Sequence, residues 1–297
     1  MKTIIESVPN FSEGRDQTTI DAITTAFTDR ENVKLLDVQA DMDHNRMVAT
    51  VVGERDPLKA AILDAMAQAV QHIDMTRHKG QHPRMGAVDV VPFIPIRGVS
   101  MTDVEALAKD VAQTAAQRFN LPIILYAYSA TAPHRANLAE VRRGQFEGMA
   151  DKLADPLWQP DFGPPRVHPT AGVTAIGARP PLVAFNVNLG TDRRDIADAI
   201  AKKVRFIGGG LRHCQAMGVS LEERGIVQVS MNMTDFNRTA LYRAVEMVRF
   251  EAQRYGVPVI GSEIVGLVPM QALADCAAYY MGLENFSMEQ VLETHLM

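Results

Sequence analysis

The stretch VKLLDVQADMDHNRMVATVVGERDPLKAAILDAMAQAVQHI, residues 33–73, combines a predicted hairpin with the helix that follows it. Apolar runs at 33–38 and 47–52 predict two strands, and the polar segment 40–46 between them predicts the hairpin loop. Pro57 suits the first turn of a helix, and apolar residues recur at helical spacing from Leu58 to Ile73. The stretch therefore predicts strand, strand and helix in that order.

The segments on either side complete a repeating unit. Thr3–Val8 predicts a strand, and apolar Ile20, Ile23 and Phe27 indicate a helix after a turn-forming segment. Val88–Ile96 predicts the next strand. The order strand, helix, strand, strand, helix, strand is that of a ferredoxin-like or split βαβ unit. A further helix at 103–119 and strand at 123–128 extend it.

The same order is predicted again from Leu182. Strands are expected at 182–188 and 226–231, helices at 194–204 and 239–255, and a last apolar run at 264–268, with the middle unassigned. Four residues recur 176 positions apart, which favours a duplication, although strand-to-helix turns favour these residue types anyway: Asn10, Gly14, Asp16 and Ile20 as Asn186, Gly190, Asp192 and Ile196. The Pro- and Gly-rich segment 155–165 predicts a boundary or an inter-domain wall.

Composition restricts the classes of protein. The 297 residues are 47% hydrophobic and 22% charged, which predicts a soluble globular protein of about two units. A formal net charge of −5 disfavours nucleic acid as a partner. Two cysteines, no uninterrupted apolar run of membrane-spanning length and no signal-peptide pattern predict a cytoplasmic protein without membrane association.

A loop rich in histidine and arginine, residues 77–86, is the strongest candidate for chemistry. His78 and His82 have the spacing of a helical metal pair, but Lys79 stands where a zincin has glutamate, and Gly80 and Pro83 oppose a continuous helix. We therefore expect no metal. Histidine exchanges protons near neutral pH, so general acid/base catalysis is the functional interpretation, and a loop histidine bonded to a backbone carbonyl is the structural one.

Two other segments carry groups suited to ligands. The hairpin loop has two carboxylates, an imidazole, an amide and a guanidinium in residues 41–46, although a solvated turn favours the same types. The glycine-rich segment 163–179 lets a flat ligand approach the backbone closely, or simply forms a loop between domains. The pair Arg142 and Arg143 suits carboxylate binding, although most such pairs are surface charge.

Taken together, these segments resemble the formiminotransferase domain family, over essentially the whole chain and in family order. The block His82-Pro83-Arg84-Met85-Gly86-Ala87-Val88-Asp89-Val90 is the most specific. The other matching segments are Val8–Arg15, Arg143–Gly148, Gly177–Arg179, Ala184–Leu189, Val229–Thr234 and Gly261–Pro269.

The resemblance implies an α/β (α+β) fold of two ferredoxin-like subdomains, at residues 1–180 and 181–297, with facing sheets, outer helices and a ligand channel between the sheets. It implies transfer of the formimino group from N-formimino-L-glutamate to tetrahydrofolate, a co-substrate, in histidine degradation and one-carbon metabolism. It also implies a homodimer. The chain ends at Met297, which predicts the monofunctional form, with any cyclodeaminase a separate protein.

The resemblance also assigns site residues by position. The family's catalytic histidine corresponds to His82, and its folate-binding stretch corresponds to Gly163, Pro164, Pro165, Arg166, Val167, His168, Pro169, Thr170, Ala171 and Gly172. Because proline has no backbone N–H, amide contacts at positions 164 and 165 are impossible, and Arg166 or His168 is expected to contact the ligand instead.

Composition and neighbourhood suggest additional roles. Asp41 or Asp43 is expected to orient His82 or stabilise the cationic amidine. Arg46, Arg84 and Arg179 are candidates for substrate carboxylates, and Arg84 joins His82 and Asp41 as a predicted catalytic residue. Two alternatives stay open: a folate-binding or regulatory module without turnover, and a related enzyme that processes 5-formyltetrahydrofolate.

Overall fold

The computed structural model describes residues 2–80 and 82–295. The chain divides into two units, Met1–Arg179 and Pro180–Met297. Each contains one β-sheet, which confirms the mixed α/β class with two sheets. None of the helices in the described ranges combines the length and apolar character that a bilayer crossing needs.

The first unit has seven strands and five α-helices among the described residues. In chain order they are β1 (Ile4–Ser7), β2 (Asn10–Phe11), α1 (Gln17–Thr25), β3 (Val33–Asp41), β4 (Arg46–Gly53), α2 (Arg55–His72), β5 (Val88–Arg97), α3 (Met101–Phe119), β6 (Ile123–Ala127), α4 (Leu138–Arg142), α5 (Gln145–Ala154) and β7 (Thr174–Ala178). The sheet begins at β3, which pairs with β4; β1 and β2 lie between β4 and β5, all antiparallel. β7 then joins β5 to β6 in parallel pairings.

Alternating burial along the strands places the main core on one face of this sheet. Met47, Ala49 and Val51 of β4 are fully buried there, as is Leu58 of α2. Ile62, Met66 and Ala69 follow Leu58 at helical spacing and are also fully buried, so the predicted apolar face of α2 is confirmed. The opposite face of β4, which begins with Arg46, therefore points away from α2.

Two parts of the first unit differ from the sequence-based expectation. Thr174–Ala178, predicted as part of a glycine-rich loop, is the buried strand β7, because small residues fit between β5 and β6. The segment 155–165, predicted as a boundary, is bound to β6 within this unit. Ile123 N–H donates to the Phe162 carbonyl at 2.9 Å, and Leu125 N–H donates to the Asp161 carboxylate at 2.7 Å.

The second unit has the element order strand, helix, strand, strand, helix, strand, followed by a last helix. The elements are β8 (Val183–Leu189), α6 (Arg194–Val204), β9 (Cys214–Leu221), β10 (Ile226–Met233), α7 (Leu241–Gln253), β11 (Val259–Val265) and α8 (Met270–Met281). The sheet order is β11-β8-β10-β9, with every pairing antiparallel. β9 supplies the middle element that the sequence left unassigned. Val187 and Val229 point to a core shared with α6 and α7.

Candidate active site

The backbone of the histidine-rich loop between α2 and β5 is held by hydrogen bonds to side chains near its C-terminal end. The Ser12 hydroxyl donates to the Gly86 carbonyl at 2.8 Å, and Met85 N–H donates to the Asp89 carboxylate at 2.9 Å. Gly86 has no room for a side chain, since a Cβ there would lie 2.2 Å from the Val173 carbonyl oxygen. Close packing therefore fixes the backbone conformation of the loop at its C-terminal end.

The hairpin turn between β3 and β4 packs against the start of the same loop. The Asn45 side chain accepts a hydrogen bond from Gly14 N–H at 2.9 Å and donates to the Lys79 carbonyl at 3.1 Å. A Cβ on Gly80 would lie 2.1 Å from the His44 carbonyl oxygen, so a side chain would separate loop and turn. A small cleft forms where they meet, lined by Phe11, Ser12, His44, Asn45, Arg46, His78, His82, Arg84 and Asp89.

His82 lines this cleft, and its Nδ1 atom is buried with no hydrogen-bond partner. Its ring is edge-on to His44, with 6.3 Å between the ring centroids. Burial, followed by the positive charges of Arg46 and Arg142, lowers the pKa of His82 to about 3. The imidazole is therefore neutral at physiological pH and can accept a proton.

His78 has a different role, because both of its ring nitrogens are engaged. Nε2 donates to the Asn45 carbonyl at 2.8 Å, and Nδ1 accepts from Nε of Arg84 at 3.2 Å. This neutral tautomer leaves no lone pair for a metal ion. The structural interpretation of a loop histidine bonded to a backbone carbonyl thus describes His78.

Arg84 is almost fully buried and uses all five of its N–H groups within the protein. Nε donates to His78, Nη1 to Gln145 at 3.2 Å and to Glu147 at 2.9 Å, and Nη2 to the His78 carbonyl at 3.2 Å and to Glu147 at 2.7 Å. Glu147 and Gln145 belong to the Arg143–Gly148 motif at the start of α5. In this structure Arg84 therefore acts on the site through the loop that carries it.

Asp41 pairs with His44 rather than with His82. Its carboxylate accepts from the His44 backbone N–H at 2.8 Å and from His44 Nδ1 at 2.7 Å. The backbone hydrogen bond is the largest of several effects that lower the pKa of Asp41. Because His44 stands edge-on to His82, Asp41 reaches the catalytic candidate through a second imidazole.

Arg142 and Asp89 were not singled out individually by the sequence, yet both lie at this site. Arg142 donates through Nη2 to the Asp89 carboxylate, whose side chain is 3% exposed. Arg143, its neighbour in the chain, is instead 74% exposed and pairs with Glu140. Burial of one member of an Arg-Arg pair depends on how α4 packs on the sheet, which local sequence patterns do not report.

The segment Gly163–Gly172 is anchored at both ends by glycines in left-handed conformations. Gly163 has φ of +87° and Gly172 has φ of +75°, and a Cβ on Gly172 would lie 2.3 Å from the Met85 carbonyl oxygen. Ala87 N–H donates to the Ala171 carbonyl at 2.9 Å. The structure thus joins the end of the predicted folate stretch to the loop of His82.

Two residues inside this stretch were expected to contact the ligand. His168 Nδ1 instead accepts backbone N–H groups from Thr170 at 3.3 Å and Ala171 at 2.9 Å, which shapes the loop. Arg166 is exposed. Of the two, Arg166 has the side chain placed to reach a molecule outside the loop.

Family models match nearly the whole chain. A model of the formiminotransferase domain, N-terminal subdomain, matches residues 4–179, and a model of the formiminotransferase domain matches residues 184–296.

Curated relatives agree with these matches. The glutamate formimidoyltransferase of Streptococcus pyogenes serotype M1 is 51% identical to this chain over 298 residues, covering 100% of both chains. The glutamate formimidoyltransferase of Thermoplasma acidophilum is 42% identical, covering 98% of this chain and 96% of its own. The formimidoyltransferase-cyclodeaminase of Mus musculus is 45% identical, covering 96% of this chain but 54% of its own length.

Proposed function

Because the chain belongs to the formiminotransferase domain family, we propose that it transfers the formimino group of N-formimino-L-glutamate to tetrahydrofolate, with His82 moving the protons. The products are 5-formiminotetrahydrofolate and L-glutamate, so the protein is a one-carbon group transferase of histidine degradation. The observation that carries the role of His82 is its buried, partnerless Nδ1 atom inside a cleft of charged groups.

The chemistry requires one proton to be moved between two nitrogens. Nitrogen 5 of tetrahydrofolate forms a bond to the formimino carbon, which gives a tetrahedral intermediate. The bond from that carbon to the glutamate nitrogen then breaks, and glutamate leaves as an amine only if its nitrogen gains a proton. A group that removes the proton from nitrogen 5 and delivers it to the leaving nitrogen serves both steps.

Neutral His82 fits this sequence of steps. Since its pKa lies near 3, the free imidazole starts as a base and takes the proton from nitrogen 5. The resulting imidazolium, placed beside Arg46 and Arg142, is a strong acid and gives the proton up readily to the glutamate nitrogen. Holding both substrates in the reacting geometry lowers the barrier further. The translational and rotational entropy of the two molecules is lost when they bind, so it no longer has to be lost in the chemical step.

Asp41 and Arg84 support His82 from outside the reacting atoms. Asp41 fixes the ring of His44 through its 2.7 Å bond, and His44 contacts the ring of His82 at its edge. Arg84 fixes the loop by binding His78 on one side and Glu147 on the other. Both are therefore positioning residues in this proposal.

Tetrahydrofolate is assigned to the segment Gly163–Gly172. In this segment, the exposed side chains of Pro165, Arg166, Pro169 and Thr170 offer two apolar rings, a guanidinium and a hydroxyl. Its last residue bridges to Gly86, four residues from His82. This connection supports binding of the folate next to the acid/base group.

The assembly and location follow the same proposal. We assign residues 1–180 and 181–297 to the N- and C-terminal subdomains of the family. A homodimer is supported by helix α8, which exposes Leu273, Tyr280 and Met281 and buries only Ala272.

Free Cys214 and Cys276 support a reducing cytoplasm. A cyclodeaminase that uses the product would be a separate partner.

One assay separates this function from its alternatives. Purified protein is mixed with N-formimino-L-glutamate and tetrahydrofolate, and 5-formiminotetrahydrofolate is measured. Folate binding without product would instead indicate a binding module, and turnover of 5-formyltetrahydrofolate alone would indicate the related activity. Within this assay, His82→Ala should lower turnover by about 10²–10⁴-fold with folate affinity retained. His72→Gln, at an exposed position at the end of α2, is the matched control.

A further inference from the structure

Two partly buried arginines beside His82 have hydrogen-bond donors that the protein does not use. Nε of Arg46 and Nε of Arg142 are both buried without a hydrogen-bond partner. Each arginine is held in place through Nη2, Arg46 by the Asn10 side chain and Arg142 by Asp89. A buried N–H without an acceptor costs free energy, so two such donors near one imidazole need an explanation.

The charges around these donors do not balance. Burial, followed by repulsion from Arg142, lowers the pKa of Arg46 to about 10. Among residues 2–80 and 82–295, Asp89 is the one fully buried carboxylate that acts on both guanidinium groups. Glu147 is already paired with Arg84, and Asp41 is 52% exposed. A single buried carboxylate near two partly buried cations leaves an excess positive charge next to a neutral imidazole.

An anion that accepts from both Nε atoms would remove the unused donors and the excess charge together. A carboxylate has the negative charge and the acceptor oxygens for this, since guanidinium N–H groups pair with carboxylates at short distance and with strong directionality. The donor substrate of the proposed reaction carries two carboxylates close to the nitrogen that must be protonated.

We propose that Arg46 and Arg142 form a carboxylate-binding subsite beside His82, which holds the glutamate portion of the formimino donor. This inference rests on the proposed function for the identity of the anion, but its geometry is that of the two guanidinium groups alone. The subsite places the leaving nitrogen of the donor near His82, because Arg46 and His82 line the same cleft and Arg142 is bound to Asp89 in the lining of that cleft.

Binding at this subsite also changes the acid/base group. The charged and titratable groups that act on His82 are Arg46 on β4, Arg142 on α4 and His44 in the hairpin turn, with Asp89, His78 and Arg84 in the same cleft or network. A bound carboxylate offsets the two arginine charges, so the pKa of His82 rises when the donor is present. The imidazolium is then stabilised only in the complex that uses it.

Binding of an unreactive donor analogue tests the subsite without requiring turnover. N-formyl-L-glutamate, in which oxygen replaces the imino nitrogen, is titrated into wild-type protein, Arg46→Gln, Arg142→Gln and Arg142→Lys by calorimetry. We expect each glutamine variant to bind the analogue about 10–100-fold more weakly, the range for loss of one charge-assisted pair. Arg142→Lys should recover part of the affinity. Arg143→Gln, at the exposed neighbouring position, should bind like wild type.

Three further readouts separate a subsite from a structural role. Folate affinity of the variants should stay near wild type, whereas a purely structural role would lower it; because Arg142→Gln leaves the Asp89 carboxylate without its ion pair, its melting temperature falls, and every assay is run well below that temperature. KM for formiminoglutamate should rise in each glutamine variant while KM for tetrahydrofolate stays constant. In ¹⁵N-histidine spectra, the analogue should raise the pKa of His82 in wild type and not in Arg142→Gln.

The outcomes distinguish failure of the subsite from failure of the function. Arginine-dependent binding of the analogue by a protein that forms no 5-formiminotetrahydrofolate would support the subsite and reject the proposed function. Normal turnover together with unchanged analogue affinity and donor KM in both glutamine variants would overturn the subsite and leave the proposed function intact. Parallel loss of folate and analogue binding in folded variants would also overturn it.

Discussion

The guanidinium of Arg84 and the carboxylate of Glu147 form a bidentate ion pair, in which Nη2 donates to Oε1 at 2.7 Å and Nη1 donates to Oε2 at 2.9 Å. Arg84 is 8% exposed, whereas the Glu147 side chain is 64% exposed. Hydrogen bonding by Arg84 lowers the pKa of Glu147 to about 2, so the pair is charged across the working pH range. This pair connects the start of α5 to the loop of His82.

Removing Arg84 should loosen that loop. Arg84→Met leaves acceptors on His78, Gln145 and Glu147 unused, and we expect a loss of roughly 2–4 kcal/mol in the free energy of unfolding. Turnover should fall through kcat more than through KM, because His82 loses its position rather than a substrate contact. Relative to Arg84→Met, Arg84→Lys should restore part of the free energy of unfolding and part of kcat. Arg77→Met, where the side chain is 88% exposed, is the control in urea unfolding and steady-state assays.

Acid should destabilise the protein partly through His82. The pKa of His82 is about 3 in the folded state and near 6.5 in the unfolded chain, so the unfolded chain binds more protons between these values. Stability is therefore complete above about pH 6.5 and is lost as pH falls toward 3, by up to ~1.4 kcal/mol per pH unit. His82→Gln should show a shallower decline in urea unfolding at pH 7, 6 and 5.

His78 and His168 share the direction of this shift, because burial lowers the pKa of both. The difference between wild type and His82→Gln therefore isolates the contribution of His82. Equal slopes for the two proteins between pH 7 and 5 would show that His82 does not carry a depressed pKa.

Gly172 should tolerate no side chain. Gly172→Ala adds a Cβ 2.3 Å from the Met85 carbonyl oxygen at a φ of +75°, so the bridge between the segment Gly163–Gly172 and the loop that carries His82 must shift. We expect a lower melting temperature and weaker tetrahydrofolate binding, measured by calorimetry.

Gly256→Ala is the matched control for Gly172→Ala. Gly256 has a similar φ of +65°, but no neighbouring atom lies within 4 Å of the added Cβ. Gly256→Ala should lower the free energy of unfolding by about 1–2 kcal/mol, the cost of a side chain at positive φ, and leave folate binding unchanged. Equal losses in both variants would mean that the contact with Met85 has no effect beyond backbone strain.

A chelator should leave activity unchanged. Both ring nitrogens of His78 are engaged, by Asn45 and by Arg84, so the four-residue spacing of His78 and His82 does not produce a metal pair. Turnover is compared with and without an excess of EDTA, and then after addition of zinc. Loss of turnover in EDTA that zinc restores would contradict this expectation.

Local patterns in the sequence predicted most elements and several site segments. The helical spacing of Leu58, Ile62 and Met66 identified α2 and its buried face, and the run Arg194–Val204 matches α6 at both ends. The predicted His82 loop, the Asp41 turn and the Gly163–Gly172 segment meet around β4 and β5 in the first unit. Such features are visible because periodicity and turn chemistry act over a few neighbouring residues.

Other features depend on residues far apart in the chain, and only the tertiary structure decided them. Thr174–Ala178 is a strand because it lies between β5 and β6, and its short, glycine-containing sequence gives no local sign of that position. Arg84 was expected to bind substrate, yet it is occupied by Glu147, 63 residues away. Arg142 and Arg143 are alike in sequence, and the packing of α4 leaves the Arg142 side chain 16% exposed and the Arg143 side chain 74% exposed. The sequence by itself determined which residue types could perform the chemistry; the packed sheet decided which of them have free donors, because burial and partners are properties of the assembled fold.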